Sequence, residues 1–188
     1  MFRAKIGERE FRFDTAPSLF SPNAVDAGTA AMLDRAALKR EDKVLDLGCG
    51  YGAVGVYAAT IADPASVWLV DIDPLAVDYA RRNLALNGIE GATALVSDGL
   101  RGLGETGFTA ILCNPPYHAD FSVPKHLIEK GFNRLAIGGR LWMVTKREAW
   151  YRNKLTGVFG ATRVHRDADY HVFEAVKTSS TYANRRRP

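Results

Sequence analysis

The sequence predicts an α/β fold in which a mostly parallel, doubly wound sheet carries helices on both faces. Short apolar runs typical of buried strands alternate with amphipathic stretches typical of helices. Gly, Asp or Pro residues precede most of the apolar runs, as turns between elements require. A strand followed by a helix and then by another strand of the same sheet gives parallel pairing, so the alternation predicts a parallel sheet.

Each predicted element rests on its own pattern. Buried strands are predicted at five apolar runs, residues 43–48, 66–72, 92–98, 108–114 and 140–146. Helices are predicted over residues 52–62, 74–87, 123–136 and near 147–157, the second of them with Pro74 in its first turn. The runs 161–169 and 170–177 are close enough to form a hairpin, which would end the sheet with antiparallel strands.

The length of 188 residues suits one domain, so residues 1–188 are predicted to form a single unit. We expect an N-terminal lid with a short helix over residues 1–40, the core over 41–178 and a basic tail over 179–188. The N-terminus lacks the apolar core of a signal peptide, and no run of about 18 apolar residues marks a membrane span. Cys49 and Cys113 each lie in an apolar segment, which favours two reduced core thiols and a cytoplasmic location.

The charge is distributed unevenly along the chain. Residues 1–120 contain 11 Lys and Arg against 16 Asp and Glu, a net charge of −5, whereas residues 121–188 contain 14 against 5, a net charge of +9. A basic surface in the last third of the chain favours an anionic partner such as a nucleic acid, although a solvated basic face would give the same composition.

A glycine-rich segment, DLGCGYGAVG at residues 46–55, lies where the first predicted core strand meets the first core helix. Gly50, Gly52 and Gly55 have the GxGxxG spacing of dinucleotide sites, and Asp71 closes the next strand 21 residues after Gly50. Glycines there allow a sharp turn and a close approach of the backbone to a ligand at a helix N-terminus. The pattern predicts a nucleotide-type ligand without separating NAD from S-adenosylmethionine; the alternative is a turn that only packs helix on strand.

Three acidic residues follow strands at the same edge of the predicted sheet. Asp71 is placed to accept hydrogen bonds from both ribose hydroxyls of such a ligand. Asp73, just before Pro74, is the competing candidate and is better placed as a helix cap. Asp98 could bind an adenine amine, and its alternative role is a turn before Gly99.

The segment CNPPYH at residues 113–118 ends the fourth strand with an amide and two prolines. Two prolines cannot continue a sheet interior, so the segment forms a rigid turn at the carboxyl edge. The side-chain oxygen of Asn114 and the main-chain oxygen of Pro115 can accept the two hydrogens of an exocyclic amine, and Tyr117 offers a flat face for an aromatic base. The alternation of strand side chains directs Cys113 into the core, away from Asn114.

These motifs, in the order DLGCGYGAVG, VDIDP, VSDG and CNPPYH, resemble class I S-adenosylmethionine-dependent methyltransferases. With FSPNAVDAGTAAML ahead of the glycine loop, the chain is most similar to the single-domain, RsmC-like (MTS-domain) ribosomal RNA guanine-N2 methyltransferases. The resemblance implies a Rossmann-like sheet of seven strands and an RNA N-methyltransferase that uses S-adenosylmethionine.

The resemblance also implies roles for particular residues. The implied cofactor contacts are Asp46, Gly48, Gly50, Asp71, Ile72, Asp98 and Asn114. The implied cover over the cofactor is Phe20, Ser21, Asp26 and Thr29. The implied catalytic and target contacts are Asn114, Pro115, Pro116 and Tyr117. Well-known bacterial members carry a second, N-terminal domain, whereas this chain has about 40 residues before its first predicted core strand.

The sequence is compatible with several classes of substrate. A basic series suits an RNA backbone, with His118 as a further contact: Lys125, Lys146, Arg147, Arg152, Lys154, Arg163 and Arg166. Release-factor methyltransferases use the same NPPY motif on a glutamine amide, and a small-molecule methyltransferase or a cofactor-fold protein that binds RNA without turnover are further alternatives. His126, His165 and His171 have no metal-ligand spacing with cysteine or acid, so no metal site is predicted.

Overall fold

The structure is a computed structural model that describes residues 1–98, 100, 102–116 and 120–183. Nine strands are assigned within these residues: β1 (Phe2–Ile6), β2 (Arg9–Phe13), β3 (Val44–Leu47), β4 (Val67–Asp71), β5 (Thr93–Val96), β6 (Phe108–Cys113), β7 (Leu135–Thr145), β8 (Arg163–Asp167) and β9 (Tyr170–Val176). The α-helices assigned there are α1 (Ala27–Arg35), α2 (Ala53–Ala58), α3 (Pro74–Leu86), α4 (Ser122–Arg134) and α5 (Glu148–Phe159).

Seven of the strands form one sheet in the order β5-β4-β3-β6-β7-β9-β8. The first five of these pair in parallel, whereas β9 pairs antiparallel with both β7 and β8. The predicted α/β class, seven-stranded sheet and antiparallel C-terminal hairpin are therefore confirmed. The strand order reverses between β3 and β6, and open α/β sheets bind ligands outside the carboxyl ends of the strands at such a point.

Alternating side chains of the sheet enter two separate cores, one on each face. In β6, Ala110 and Leu112 belong to the core beneath α1, α2 and α3, whereas Ile111 and Cys113 belong to the core beneath α4 and α5. Asn114, the next residue along the chain, contacts α1 on the first face. The predicted inward direction of Cys113 is confirmed, and both cysteines are buried free thiols.

The N-terminal segment contains two strands ahead of the short helix that the sequence predicts. β1 and β2 form a separate antiparallel hairpin, and Phe11 and Phe13 of β2 are buried on one face of it. Phe13 meets the ring of Tyr51 with centroids 5.5 Å apart, and Phe11 meets that of Tyr57 at 6.1 Å. This hairpin is part of the core because its alternate apolar residues are covered, and the alternation of charged and apolar residues in β2 is the sequence signal of such a strand.

The boundaries of one predicted element also change. α4 ends at Arg134, and β7 begins directly at Leu135, five residues before the strand predicted at 140. The register of β7 against β6 shifts between Phe108 and Ala110, so the early part of β7 is an irregular extension. No helix among the described residues is both long and apolar enough to cross a membrane.

Candidate active site

A cleft of about 670 Å³ opens at the carboxyl ends of β3, β4 and β6. This volume is in the range of sites that hold small molecules and cofactors, roughly 300–1,000 Å³. Its walls come from the glycine loop, the β4–α3 turn, the segment before α1, the end of β6 and the first turns of α4. The sequence motifs, which are far apart in the chain, therefore meet around one cavity.

The glycine loop turns sharply between β3 and α2. Gly48 and Gly50 have φ angles of 78° and 53°, in the left-handed region that favours glycine. A Cβ at either residue would meet no atom within 4 Å, so here the backbone conformation selects glycine rather than the space. At Gly55, by contrast, a Cβ would lie 2.2 Å from Leu69. The packing role considered for the glycines therefore applies at Gly55, and the two earlier glycines shape the cleft.

Asp46 lies at the base of this loop and is only 2% exposed. Its Oδ2 accepts a hydrogen bond of 2.8 Å from the main-chain N–H of Gly55. Burial raises the pKa of Asp46 to about 7, the Gly55 hydrogen bond opposes this rise, and the nearby carboxylate of Asp71 adds to it. Asp46 fastens the start of α2 to β3 and also lines the cleft.

Asp71 is held in a fixed orientation at the end of β4. Its Oδ2 accepts from the N–H of Gly50 at 2.8 Å, and its Oδ1 accepts from the N–H of Asp73 at 3.0 Å. Each carboxylate oxygen can accept more than one hydrogen bond, so both remain available to a ligand in the cleft. Asp73 caps α3 by accepting from Leu75 N–H at 2.9 Å, which confirms the predicted cap.

Two large apolar side chains at the cleft are unusually exposed. Ile72 is 66% exposed and Phe20 is 49% exposed, and both line the cavity. Asp98 lines it too, two residues after the end of β5. Ser21 is not among the lining residues, and its hydroxyl donates to the carbonyl of Ala24 at 2.7 Å.

The side-chain amide of Asn114 has its nitrogen paired, whereas its oxygen has no partner among the described residues. Its Nδ2 donates to Asp26 Oδ2 at 3.0 Å and to Thr29 Oγ1 at 2.9 Å. Its Oδ1 is buried and has no hydrogen-bond donor among the described residues. Pro115 and Pro116 line the cleft beside it, whereas Tyr117 and His118 lie outside the described residues. An acceptor fixed in this way is suited to a ligand that brings its own N–H.

The first turns of α4 add a wall that the sequence reasoning missed. Ser122, Val123, His126 and Leu127 all line the cleft. Their spacing of one, four and five residues places them on one helix face, and this spacing after the NPPYH segment is the signal that could have found them. The sequence pattern gives no reason to expect His126 at the cleft. No group of residues suited to a metal ion occurs in the described part of the chain.

Most members of the basic series predicted along the last third form ion pairs, although the region keeps its excess of positive charge. Arg152 and Arg166 pair with Glu148, Arg163 pairs with Glu174, and Lys154 pairs with Glu129. Lys146 lies 3.9 Å from Asp169. Lys125 and Arg147 make no ion pair within the described residues, and the Arg147 guanidinium lies 5.1 Å from the ring centre of Phe121.

Comparison with known proteins identifies a matching family and similar ribosomal RNA methyltransferases. The model of the methyltransferase small domain (MTS) family matches residues 10–174. The ribosomal RNA large subunit methyltransferases G of Klebsiella pneumoniae (strain 342) and Yersinia enterocolitica are 32% and 30% identical over 168 and 184 residues. These alignments cover 85% and 94% of this chain but 45% and 46% of those proteins.

Among solved structures, the 16S rRNA N2 G1207 methyltransferase RsmC of T. thermophilus, in complex with AdoMet and guanosine, superimposes with a TM-score of 0.86 at 31% identity. The match covers 94% of this chain and 50% of that one. The chain thus spans about half the length of the relatives it matches.

Proposed function

Because this chain belongs to the methyltransferase small domain family, we propose that it transfers a methyl group from S-adenosylmethionine to the exocyclic N2 amine of a guanine in ribosomal RNA. The observation that carries the proposal is the buried Oδ1 of Asn114, which has no donor among the described residues while its Nδ2 is held by two acceptors. A similar fold in RsmC of T. thermophilus binds AdoMet and guanosine together, which supports this pair of ligands.

The residues of the cleft fit S-adenosylmethionine. Asp71 presents a carboxylate that two main-chain N–H groups hold in place, as hydrogen bonds to ribose hydroxyls require. The exposed side chain of Ile72 gives an apolar surface for an adenine ring, and Asp98 would accept from the adenine amine. Gly48 and Gly50 leave open space for the remainder of the cofactor. When bound, the cofactor supplies an electrophilic methyl group on a sulfonium sulfur.

Asn114 would act on the target amine. The lone pair of an amine on an aromatic base is delocalised into the ring, so the nitrogen is a weak nucleophile. A hydrogen bond from that amine to Asn114 Oδ1 favours a tetrahedral nitrogen, and it strengthens as positive charge develops there. The oxygen therefore stabilises the transition state more than the ground state, and no covalent enzyme intermediate is needed.

The RNA would approach along the start of α4 and α5. The rings of Phe121 and Trp150 stack with centroids 4.5 Å apart, and Arg147 lies over Phe121. Phe121 is directly followed by Ser122 and Val123, which line the cleft. A partly exposed pair of aromatic rings, beside a cation with no ion pair among the described residues, suits a nucleotide that flanks the target. Lys125 on α4 would add a phosphate contact, whereas the ion-paired arginines would contribute less.

Incubation of the protein with labelled S-adenosylmethionine and ribosomal RNA, ribosomal subunits or release factor tests the proposal. Digestion of the product should place the label in N2-methylguanosine. Label in glutamine would overturn the RNA assignment in favour of a protein amide, and cofactor binding without transfer to any of these substrates would favour a binding protein. Binding to RNA should weaken steeply with added salt if phosphate contacts dominate.

A further inference from the structure

We propose that Asp26 and Thr29 are positioning residues that fix the amide of Asn114 so that Oδ1, and not Nδ2, faces the target amine. This inference rests on the proposed function, since it assigns how the acceptor of that reaction is oriented. It gives the two residues a different role from the cofactor cover that the family resemblance implies.

The chemistry of the two partners determines which way the amide points. A carboxylate has acceptor oxygens and no hydrogen to donate, so Asp26 Oδ2 at 3.0 Å must face the NH2 group of Asn114. Thr29 Oγ1 takes the second hydrogen of that group at 2.9 Å. With both hydrogens used, the oxygen lies on the opposite side of the amide, where no described residue donates to it. A rotation of the amide by 180° would exchange two satisfied donors for an oxygen facing a carboxylate.

The acceptors themselves are held rigidly. Asp26 Oδ2 also caps α1 by accepting from the N–H of Thr29 at 3.0 Å, and Thr29 is only 6% exposed. The phenol of Tyr170 donates to the other carboxylate oxygen of Asp26 at 3.3 Å. A Cβ on Gly28 would lie 2.6 Å from the Tyr170 ring, so the glycine is what lets α1 approach β9 this closely. The orientation of Asn114 is thus tied to the packing of α1 on the sheet.

The loss of either acceptor should lower turnover by weakening this orientation. Thr29→Val keeps the shape of the side chain and removes its oxygen, and we expect a rate loss of roughly fivefold to tenfold. Asp26→Ser keeps a capping oxygen for α1 but is too short to reach Asn114, and we expect a loss of roughly tenfold or more, since a charged partner is removed.

The conservative variants provide the matched comparison. Asp26→Asn and Thr29→Ser retain an acceptor oxygen and should retain more of the rate than Asp26→Ser and Thr29→Val. Thr60→Val, at a threonine whose hydroxyl bonds to the carbonyl of Tyr57 outside the cleft, should leave the rate unchanged within about twofold. Affinity for S-adenosylmethionine, measured by calorimetry, should change by less than threefold in all five variants, because the effect lies in turnover.

A double-mutant cycle separates positioning from a structural role. In an Asn114→Ala background, Asp26→Ser and Thr29→Val should cause no further loss, because the amide that they orient is gone. An equal loss in both backgrounds, or a fall in cofactor affinity with an unchanged rate at saturation, would overturn the proposal.

A readout without substrate makes this test independent of the proposed reaction. The side-chain NH2 signals of Asn114 can be assigned in a ¹H–¹⁵N spectrum by their disappearance in Asn114→Ala. They should be protected from solvent exchange in the native protein, and exchange should accelerate at least tenfold in Asp26→Ser and Thr29→Val. Unchanged exchange would refute the positioning role whatever the activity; accelerated exchange in a protein that methylates no RNA would refute the proposed function and leave the positioning role standing.

Discussion

Asn83 and Asn114 are both held by hydrogen bonds inside the protein, but they differ in how completely their amides are used. Asn83, fully buried on α3, donates to the carbonyls of Asp14 and Tyr51, each at 2.8 Å, and accepts from Asp14 N–H at 2.7 Å. Asn114 has the same two donors satisfied but leaves its oxygen without a donor among the described residues. Since buried polar groups are nearly always paired, the unpaired oxygen of Asn114 is the feature on which the proposed role at the target amine rests.

The largest expected effect on the rate of methyl transfer comes from removing the side-chain amide of Asn114. Asn114→Ala should lower the rate of methyl transfer by roughly a hundredfold to a thousandfold, because it deletes a hydrogen bond formed at the reacting nitrogen. Cofactor affinity should change little, whereas Asp71→Ala should weaken cofactor binding. Single-turnover kinetics with labelled cofactor would measure the rate, and normal turnover by Asn114→Ala would end the distinction between the two asparagines.

The second prediction concerns Asp46, the buried acid at the base of the glycine loop. The pKa of Asp46 is raised from 3.8 to about 7, so the folded protein keeps this proton at pH values where the unfolded chain releases it. The free energy of unfolding is therefore highest below about pH 4. It falls as the pH rises to about 7, because only the unfolded chain gains from releasing the Asp46 proton in this range. Asp46→Asn avoids this loss and should be more stable above pH 7, by on the order of 4 kcal/mol at most.

Denaturant unfolding of ligand-free protein between pH 4 and pH 8 would measure the effect of Asp46→Asn. The difference between the two proteins should shrink as the pH falls towards 4, because the unfolded chain begins to take up the same proton near its ordinary pKa of 3.8. A difference that stayed constant with pH would show that ionisation of Asp46 is not its source.

The third prediction tests the fully satisfied asparagine. Asn83→Ala should lower the free energy of unfolding by about 1–3 kcal/mol, because it leaves main-chain groups of Asp14 and Tyr51 buried without their partner. Methyl transfer well below the melting temperature should change by less than about twofold. Asn133→Ala, which removes one exposed hydrogen bond from α4 to the Tyr182 hydroxyl, is the matched control and should cost about 0.5 kcal/mol or less. A large rate loss in Asn83→Ala would contradict its structural assignment.

The smallest effect is expected where water can replace the lost partner. Asp73 caps α3 from an exposed position, so Asp73→Ala should cost about 1 kcal/mol in thermal or chemical unfolding. Asp78→Ala on the same helix removes only a surface ion pair with Arg81 and should have a smaller effect. If the two substitutions cost the same, the cap would not contribute more than an ordinary surface acid.

The charge of the last third of the chain can be predicted from composition, but its ion pairs cannot. The sequence places a net charge of +9 in residues 121–188, and the structure then distributes it. Glu148 alone pairs with Arg152 and Arg166, and these cations lower the pKa of its carboxyl group. Arg147, by contrast, has an aromatic neighbour and no described ion pair. Composition gives the sum of charges, whereas the positions of acidic neighbours determine which cations stay available to RNA.

Local sequence was enough to predict the elements that depend on local patterns. The alternation of strands and helices, the cap at Asp73 and the opposite directions of Cys113 and Asn114 all follow from periodicity and turn chemistry over a few residues. For the same reason, Asp71 and the glycine loop were placed at one edge of the sheet, because parallel strands bring their carboxyl ends together.

Only the tertiary structure decided what those residues meet. Asp26 and Asn114 are 88 residues apart in the chain, and no periodicity links them, so the orientation of the amide depends on how α1 packs on the sheet. The N-terminal hairpin and the lining face of α4 likewise depend on which apolar surfaces become covered. Local sequence patterns determined at which strand ends the side chains of the cleft lie. Long-range packing determined the orientation of the Asn114 amide, because its hydrogen-bond partners come from a distant part of the chain.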